Sequence, residues 1–396
     1  MKYNYITEDF LKNIKTTKEE KNLKKQIKFI SIALILLLLS TGCVGNTNKT
    51  SADNTQVPEE QTQQNNAGMV DSDENEQGEV KEESSDVDPK EKIDLSLKPN
   101  EAGQIMVLMY HNIGGEEAEW VRTPENFKKD LKTLYEKGYR PISLADFVNN
   151  NINVDAGLTP VVITFDDGNQ NNFNIIEKDG EKIVDPNSAV GILEEFNKAH
   201  PDFPLKATFF VFGSNPFRQP ELLEYKLNYL VEKGFDIGNH TLEHNDMSKI
   251  NEANKIQKVI GQQAAFLESY IPGYKINTYA LSYGARPKDK ALYPYLQKGE
   301  YEEKPYDNIA VLNVGWDPNV SPIDKAFDPY AIHRVRASET KVDGVGMYDW
   351  LAVLDKNPER RYISDGNPDI VTVPKKFEEK VDKDKLGDKE LYIYEE

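Results

Sequence analysis

The chain has 396 residues and a formal net charge of −19. That length allows one large folded domain with appendages, and the acidic balance argues against a nucleic-acid partner held through its phosphates. A single cysteine excludes an internal disulfide and any thiolate metal cluster.

The charge is partitioned. Lys21, Lys24, Lys25 and Lys28 precede an apolar run from Phe29 to Leu39. The run is too short to span a bilayer but suits a signal h-region. Ser40-Thr41-Gly42-Cys43 follows, and a lone cysteine at that place resembles a bacterial lipoprotein processing site. Residues 1–43 are therefore expected to be a lipoprotein-type signal peptide, with Cys43 carrying a lipid that anchors an extracytoplasmic protein to the cell membrane. An ordinary secretory signal or an uncleaved anchor is the other reading. Residues 44–103 are poor in aromatics, and 47–103 carry 5 basic and 15 acidic residues. Such a stretch cannot bury enough apolar surface to offset ordering entropy, and it reads as a disordered acidic tether.

The folded domain is expected over residues 104–340. Ile105–Ile113 reads as a buried strand carrying Tyr110-His111 near its end. Phe127, Leu131, Leu134 and Tyr135 give helical spacing up to Gly138, with Thr123-Pro124-Glu125 as a capped start. Ser143–Phe147 begins a shorter helix. Val161-Val162-Ile163-Thr164-Phe165 is an apolar run of the kind a strand covered on both faces needs. It enters Asp166-Asp167-Gly168, where a sharp turn at the glycine can aim both carboxylates into one cavity, although a plain polar turn would use the same residues.

Phe173–Ile176, Asp179-Gly180 and Ile183-Val184 predict a hairpin with a type I′ turn. It is either a substrate-contacting rim element or a tolerated insertion. A helix follows from about Ala189 to Ala199, then a strand at Ala207–Phe212 and a helix at Glu221–Lys233. Phe235–Gly238 is a short strand leading to His240-Thr241-Leu242-Glu243-His244. On a helix or wide turn these two histidines share a face. Two imidazoles and one carboxylate make a metal site with positions left for water and substrate. Asn254–Tyr270 is a further helix, and Tyr279–Gly284 a strand and turn containing Tyr283. Ala310–Asp317 reads as a strand ending in Trp316-Asp317, and Tyr330–Arg336 is a last strand carrying His333, Arg334 and Arg336. Residues 341–396 form a C-terminal extension without a functional reading, with room for a small strand pair at Ile370–Val373 and Leu391–Tyr394. Alternating strands and helices predict an α/β fold with a parallel sheet or barrel.

Thr164-Phe165-Asp166-Asp167-Gly168 together with His240-x-x-x-His244 resembles the polysaccharide deacetylases, carbohydrate esterase family 4, over roughly residues 104–340. Tyr110-His111 is similar to the opening motif of the poly-N-acetylglucosamine deacetylase branch. The resemblance implies a distorted (β/α) barrel and a metal-dependent N-deacetylase acting on an extracellular N-acetylated glycan. Peptidoglycan as substrate, or a glycan-binding lipoprotein without turnover, are the alternatives. It implies Asp167, His240 and His244 as ligands of a divalent metal, with zinc the expected ion, and Asp166 as base. His111 is the implied acid, with His333 as runner-up, and Tyr283 offers its backbone N–H to the oxyanion. Trp316 is a candidate floor for the sugar site, with a core tryptophan as the other reading. The arginine many members place before the tyrosine of the third motif is absent here, which leaves Arg334 and Arg336 as candidates for the cation beside Asp166.

Overall fold

A computed structural model of the chain describes residues 88–395. The expected signal segment with Cys43, and the tether up to residue 87, lie outside the described residues.

Eight strands form one parallel sheet: β1 (Met106–Tyr110), β2 (Tyr139–Pro141), β3 (Thr159–Phe165), β4 (Thr208–Val211), β5 (Asp236–Asn239), β6 (Thr278–Ala280), β7 (Ala310–Leu312) and β8 (Val335–Arg336). Their order is β7-β6-β5-β4-β3-β1-β8, with β2 also paired to the start of β3. Residues 332–336 join the two sheet edges: Ile332 pairs with Leu312, and Val335 pairs with Leu108 of β1. The sheet is thereby curled into a distorted barrel, as expected.

The strands are apolar on both faces because both are covered. Ile105, Val107, Val162, Phe210, Ala280, Leu312 and Ile332 pack together inside the curl. The alternate residues Met106, Leu108, Val161, Ile163, Phe165, Phe209, Ile237 and Val335 pack against the helices. Those helices begin where the sequence supplies caps. In α1 (Pro124–Glu136) the Thr123 hydroxyl accepts the Asn126 N–H at 3.1 Å, and Phe127, Leu131 and Leu134 are buried. Ser143 caps α2 (Leu144–Val148) and Ser188 caps α3 (Ala189–Ala199) in the same way. Next come α4 (Leu223–Glu232), α5 (Ala253–Glu268) and α6 (Pro294–Gln297).

Several expectations change. Residues 88–103 are not tether: Asn100, Glu101 and Ala102 are buried, and the Glu101 N–H donates to the Thr372 carbonyl at 2.9 Å. The region beyond residue 340 is built into the fold. Helix α7 (Met347–Lys356) adds Met347, Leu351 and Leu354 to the helix-side core. The strand pair is present as β9 (Ile370–Pro374) and β10 (Glu390–Tyr394), parallel, with Val371 and Val373 packed on Ala102 and Ile323. The strand expected over Ala310–Asp317 stops at Leu312. That over Tyr330–Arg336 is a 3₁₀ turn at Pro329–Ala331 followed by two strand residues. The hairpin matches its expectation: Ile175–Lys178 pairs antiparallel with Glu181–Val184, and Asp179 and Gly180 have φ of 55° and 81°.

Candidate active site

The site forms at the C-terminal ends of the strands, where parallel α/β sheets place loops free to carry chemistry. Strand alternation accounts for most of it. Val162 and Thr164 lie on the inner face, so Asp166 continues the same series; Val107 leads to His111, Ala280 marks the neighbouring inner position, and Ile332 leads to Arg334. Asp167 breaks the alternation. Its φ of 75° is left-handed, which turns its carboxylate back towards the same cavity, and Gly168 follows at φ 59°. A side chain at Gly168 would also meet Val211 at 2.9 Å, so only glycine fits the turn.

His240 and His244 do not lie on a helix. They flank a turn in which Thr241 and His244 have φ of 63° and 51°. Buried Asn239 holds the turn by accepting the Thr241 N–H at 2.8 Å while its own amide donates to the Ile260 carbonyl of α5. The Thr241 hydroxyl then accepts the Asn245 N–H. Non-glycine residues held in left-handed backbone are costly, and four of them, Asp167, Thr241, His244 and Tyr283, lie in the turns that carry the candidate groups. The sequence offered no signal for the roles of Asn239 and Thr241.

The three candidate ligands converge. His240 Nε2 and His244 Nε2 are 3.1 Å apart, and Asp167 Oδ1 lies 3.7 Å from the first and 3.5 Å from the second. A tetrahedral ion with bonds near 2.1 Å has ligand atoms about 3.4 Å apart, so the donor set fits a divalent metal such as zinc. His240 is oriented by its second nitrogen, Nδ1, which lies 2.8 Å from the Ala280 carbonyl. Burial pushes His240 down to about 4 and lowers His244 as well, so both stand neutral with lone pairs available.

Asp166 is a different kind of carboxylate. Arg334, fully buried, donates to both of its oxygens, at 2.6 and 2.8 Å. Burial alone would raise the Asp166 carboxyl, but Arg334 above all, with His240 and His111, holds it well below the usual carboxylate range. Arg334 is fixed in turn by the Asn313 carbonyl at 2.9 Å. Arg336, the other candidate cation, turns instead to Glu119 at 3.0 Å.

His111 Nε2 lies 3.9 Å from Asp166 Oδ2, with its ring 4.7 Å from that of Trp120. Burial lowers its pKa while Asp166 and Asp167 pull it back up. Its carbonyl accepts the side-chain amide of buried Asn172. His333 does not join this group. It is the outward-facing neighbour of Arg334, and its Nδ1 meets Asp317 Oδ1 at 2.9 Å. Among the described contacts none brings it to Asp166 or Asp167. Tyr283 stands beside the candidate ligand His244, ring to ring at 4.5 Å. Trp316 is not a core residue: it is 65% exposed, four residues past the end of β7, and only its carbonyl is engaged, by the Trp350 indole N–H. Trp120, for which the sequence offered no expectation, is exposed beside His111.

Residues 154–298 match the family described as polysaccharide deacetylase. A peptidoglycan-N-acetylglucosamine deacetylase of Bacillus cereus is 25% identical over 154 residues, 37% of this chain and 48% of that protein. The chain thus spans about half the length of this curated relative. Among solved structures, a Bacillus cereus polysaccharide deacetylase is 19% identical, with 61% of this chain and 67% of that one covered and a TM-score of 0.45. A Streptococcus pyogenes deacetylase in complex with acetate is 17% identical, with 63% and 97% covered and a TM-score of 0.44. Asp166, Asp167, His240 and His244 all fall inside the residues that match this family.

Proposed function

We propose that the protein is a metal-dependent N-deacetylase that removes acetyl groups from an N-acetylated glycan outside the cytoplasm. The observation that carries the reading is the side-by-side pair of carboxylates with opposite surroundings: Asp166 clamped by Arg334, and Asp167 facing two imidazoles. Asp167, His240 and His244 are the residues that would hold the divalent ion, which when bound acidifies water and polarises the amide carbonyl.

The chain's own groups account for the rest. Asp166, kept ionised by Arg334, accepts the proton of the attacking water. Attack on the acetamide carbon places negative charge on its oxygen, and the backbone N–H at Tyr283, set at φ 58° beside His244, is the donor suited to receive it. The C–N bond then breaks as His111 protonates the leaving sugar amine, giving acetate and a free amino sugar. Burial keeps His111 neutral at rest, and its place 3.9 Å from Asp166 lets it be recharged by the proton the water has lost. Two exposed aromatic side chains, Trp120 beside His111 and Tyr283 beside His244, are suited to stack on sugar faces, with exposed Trp316 as a further candidate.

The branch resembled points to poly-N-acetylglucosamine. The name of the Bacillus cereus relative favours peptidoglycan as the second reading. Acetate release from chitin-type oligomers and from purified cell wall, with and without chelator, decides between them. Release from neither substrate by metal-loaded protein rejects the deacetylase and leaves a glycan-binding protein. Anchoring through Cys43 belongs to the same proposal: Cys43→Ser should move the protein from the membrane fraction to the soluble one, and unchanged fractionation with unchanged mass rejects the lipid anchor.

A further inference from the structure

Lys226 lies on α4, is fully buried and takes no part in the chemistry above. A lysine in such a place is costly, because leaving water penalises its charge. Burial lowers its pKa to about 7, with the Glu221 charge raising it in part. An apolar side chain of similar length would fill the space without that cost. What the amine does there is hold backbone. Its Nζ donates to the Phe173 carbonyl at 2.7 Å and to the Phe217 carbonyl at 3.1 Å, with the rings of both residues beside it.

The two carbonyls belong to different loops. Phe173 lies in the stretch that leaves Asp167 beyond β3, and Phe217 lies in the turn after β4. Gln219 fastens the same two loops: its side-chain amide donates to the Ile175 carbonyl at 2.8 Å and accepts the Ile175 N–H at 2.9 Å. The turn after β4 needs holding. Phe217 and Arg218 are consecutive non-glycine residues in left-handed backbone, at φ of 60° and 54°.

Each carbonyl is a short step from a candidate catalytic group. The Phe217 N–H donates to the Gly168 carbonyl at 2.7 Å, and Gly168 directly follows Asp167. The left-handed turn that aims the Asp167 carboxylate therefore leans on Phe217. Phe173 follows Asn172, whose side chain donates to the His111 carbonyl and accepts the Asn169 N–H. The buried amine thus bears on the Asp167 turn through Phe217 and on the His111 backbone through Phe173.

We propose that Lys226 is a positioning residue for the site: by clasping the loops after β3 and β4 it keeps the Asp167 turn and the His111 backbone in place. The proposal rests on the metal-site reading for its readout. Lys226→Met removes both donations and keeps the length of the side chain. Leu230→Ala, also at a buried position of α4, is the control for lost packing alone. The test titrates each metal-free protein with Co²⁺ and records its affinity and the visible absorption of the bound ion. Urea unfolding, and kcat and KM for acetate release, are measured alongside; the Co²⁺ readouts do not depend on turnover. Lys226→Met should bind Co²⁺ about tenfold more weakly, with altered absorption, and should lose kcat about tenfold at unchanged KM. Leu230→Ala should lower the urea midpoint and leave Co²⁺ affinity and absorption as in the natural protein. Lys226→Gln, whose shorter side chain cannot reach both carbonyls, repeats the comparison should the methionine variant fail to fold. Co²⁺ binding and absorption unchanged in Lys226→Met, or changed equally in Leu230→Ala, overturn the role of Lys226 and leave the metal site standing. Failure of both Lys226 variants to fold assigns the residue to the fold alone and overturns the role as well. Natural protein that takes up no Co²⁺ overturns the metal site, and the role of Lys226 with it.

Discussion

Asp166 and Arg334 form a buried, doubly hydrogen-bonded ion pair, and the proposed chemistry requires it to stay intact. Arg334→Lys keeps a charge but loses the fork that meets both carboxylate oxygens. We expect it to retain bound metal while turnover falls at least about tenfold. Arg334→Ala leaves a buried charge without its partner and should cost about 3–5 kcal/mol of stability by chemical denaturation. For the ligands, Asp167→Ala, His240→Ala or His244→Ala should each lower bound metal and activity together; purified protein without stoichiometric metal, indifferent to chelator, contradicts the site. Asp166→Asn and His111→Ala should keep metal and lose roughly 10²–10⁴-fold in rate. His333→Ala should stay near normal, because its ring pairs with Asp317, whereas His111 is the histidine beside Asp166. A dead His333→Ala enzyme beside an active His111→Ala enzyme reverses the assignment.

At the level of elements, the core helices and strands were legible because local signals agreed: Thr123, Ser143 and Ser188 cap helices where they were expected, and the Asp179-Gly180 turn closes its hairpin. The convergence of Asp167, His240 and His244 was legible from spacing, although the turn that carries His240 and His244 was not, since left-handed backbone at Thr241 and His244 is imposed by Asn239 and α5 rather than by local propensity. The choice of Arg334 over Arg336 needed the inward parity of the last strand, which follows from the Leu312–Ile332 pairing across the sheet edges. Equally hidden was a buried network behind β1. Asp130 of α1 accepts from Arg122 Nε at 2.8 Å, from the Tyr348 hydroxyl of α7 at 2.9 Å and from Tyr110 at 3.2 Å. It ties two helices and a strand of the core through one carboxylate. Asp130→Ala should destabilise the fold by about 3 kcal/mol, because Arg122 keeps Glu117 and Glu339 but loses its fully buried partner. A loss under 1 kcal/mol in urea unfolding would mean that the network is incidental.

On the scale of the whole molecule, the described fold is joined at its two sequence ends, which the sequence reading had set apart as tether and extension. Residues 99–102 run against 363–394: the Asn100 N–H donates to Ile363, and the Tyr394 hydroxyl donates to the Pro99 carbonyl. At the centre of that seam Glu101 is buried beside Asp365, its carboxylate accepting backbone N–H groups of Asp365 and Thr372. Burial, reinforced by the Asp365 charge, pushes the Glu101 carboxyl up to about 8 from an ordinary 4.5. Between those two values the folded protein holds a proton that the unfolded chain has released. The stabilisation is therefore complete below about pH 4.5, declines as pH rises and is gone above about pH 8, with a slope of at most about 1.4 kcal/mol per pH unit. This is opposite in sign to the contribution of Asp166, whose lowered pKa matters only in stronger acid. The buried histidines work the other way, adding stability as pH rises towards 6.5, so the Glu101 contribution is read as a difference: between pH 5 and pH 8 the urea midpoint of the natural protein should fall relative to that of Glu101→Gln, which is neutral throughout. An unchanged slope in Glu101→Gln would place the titrating group elsewhere and remove the seam as the source of the pH dependence.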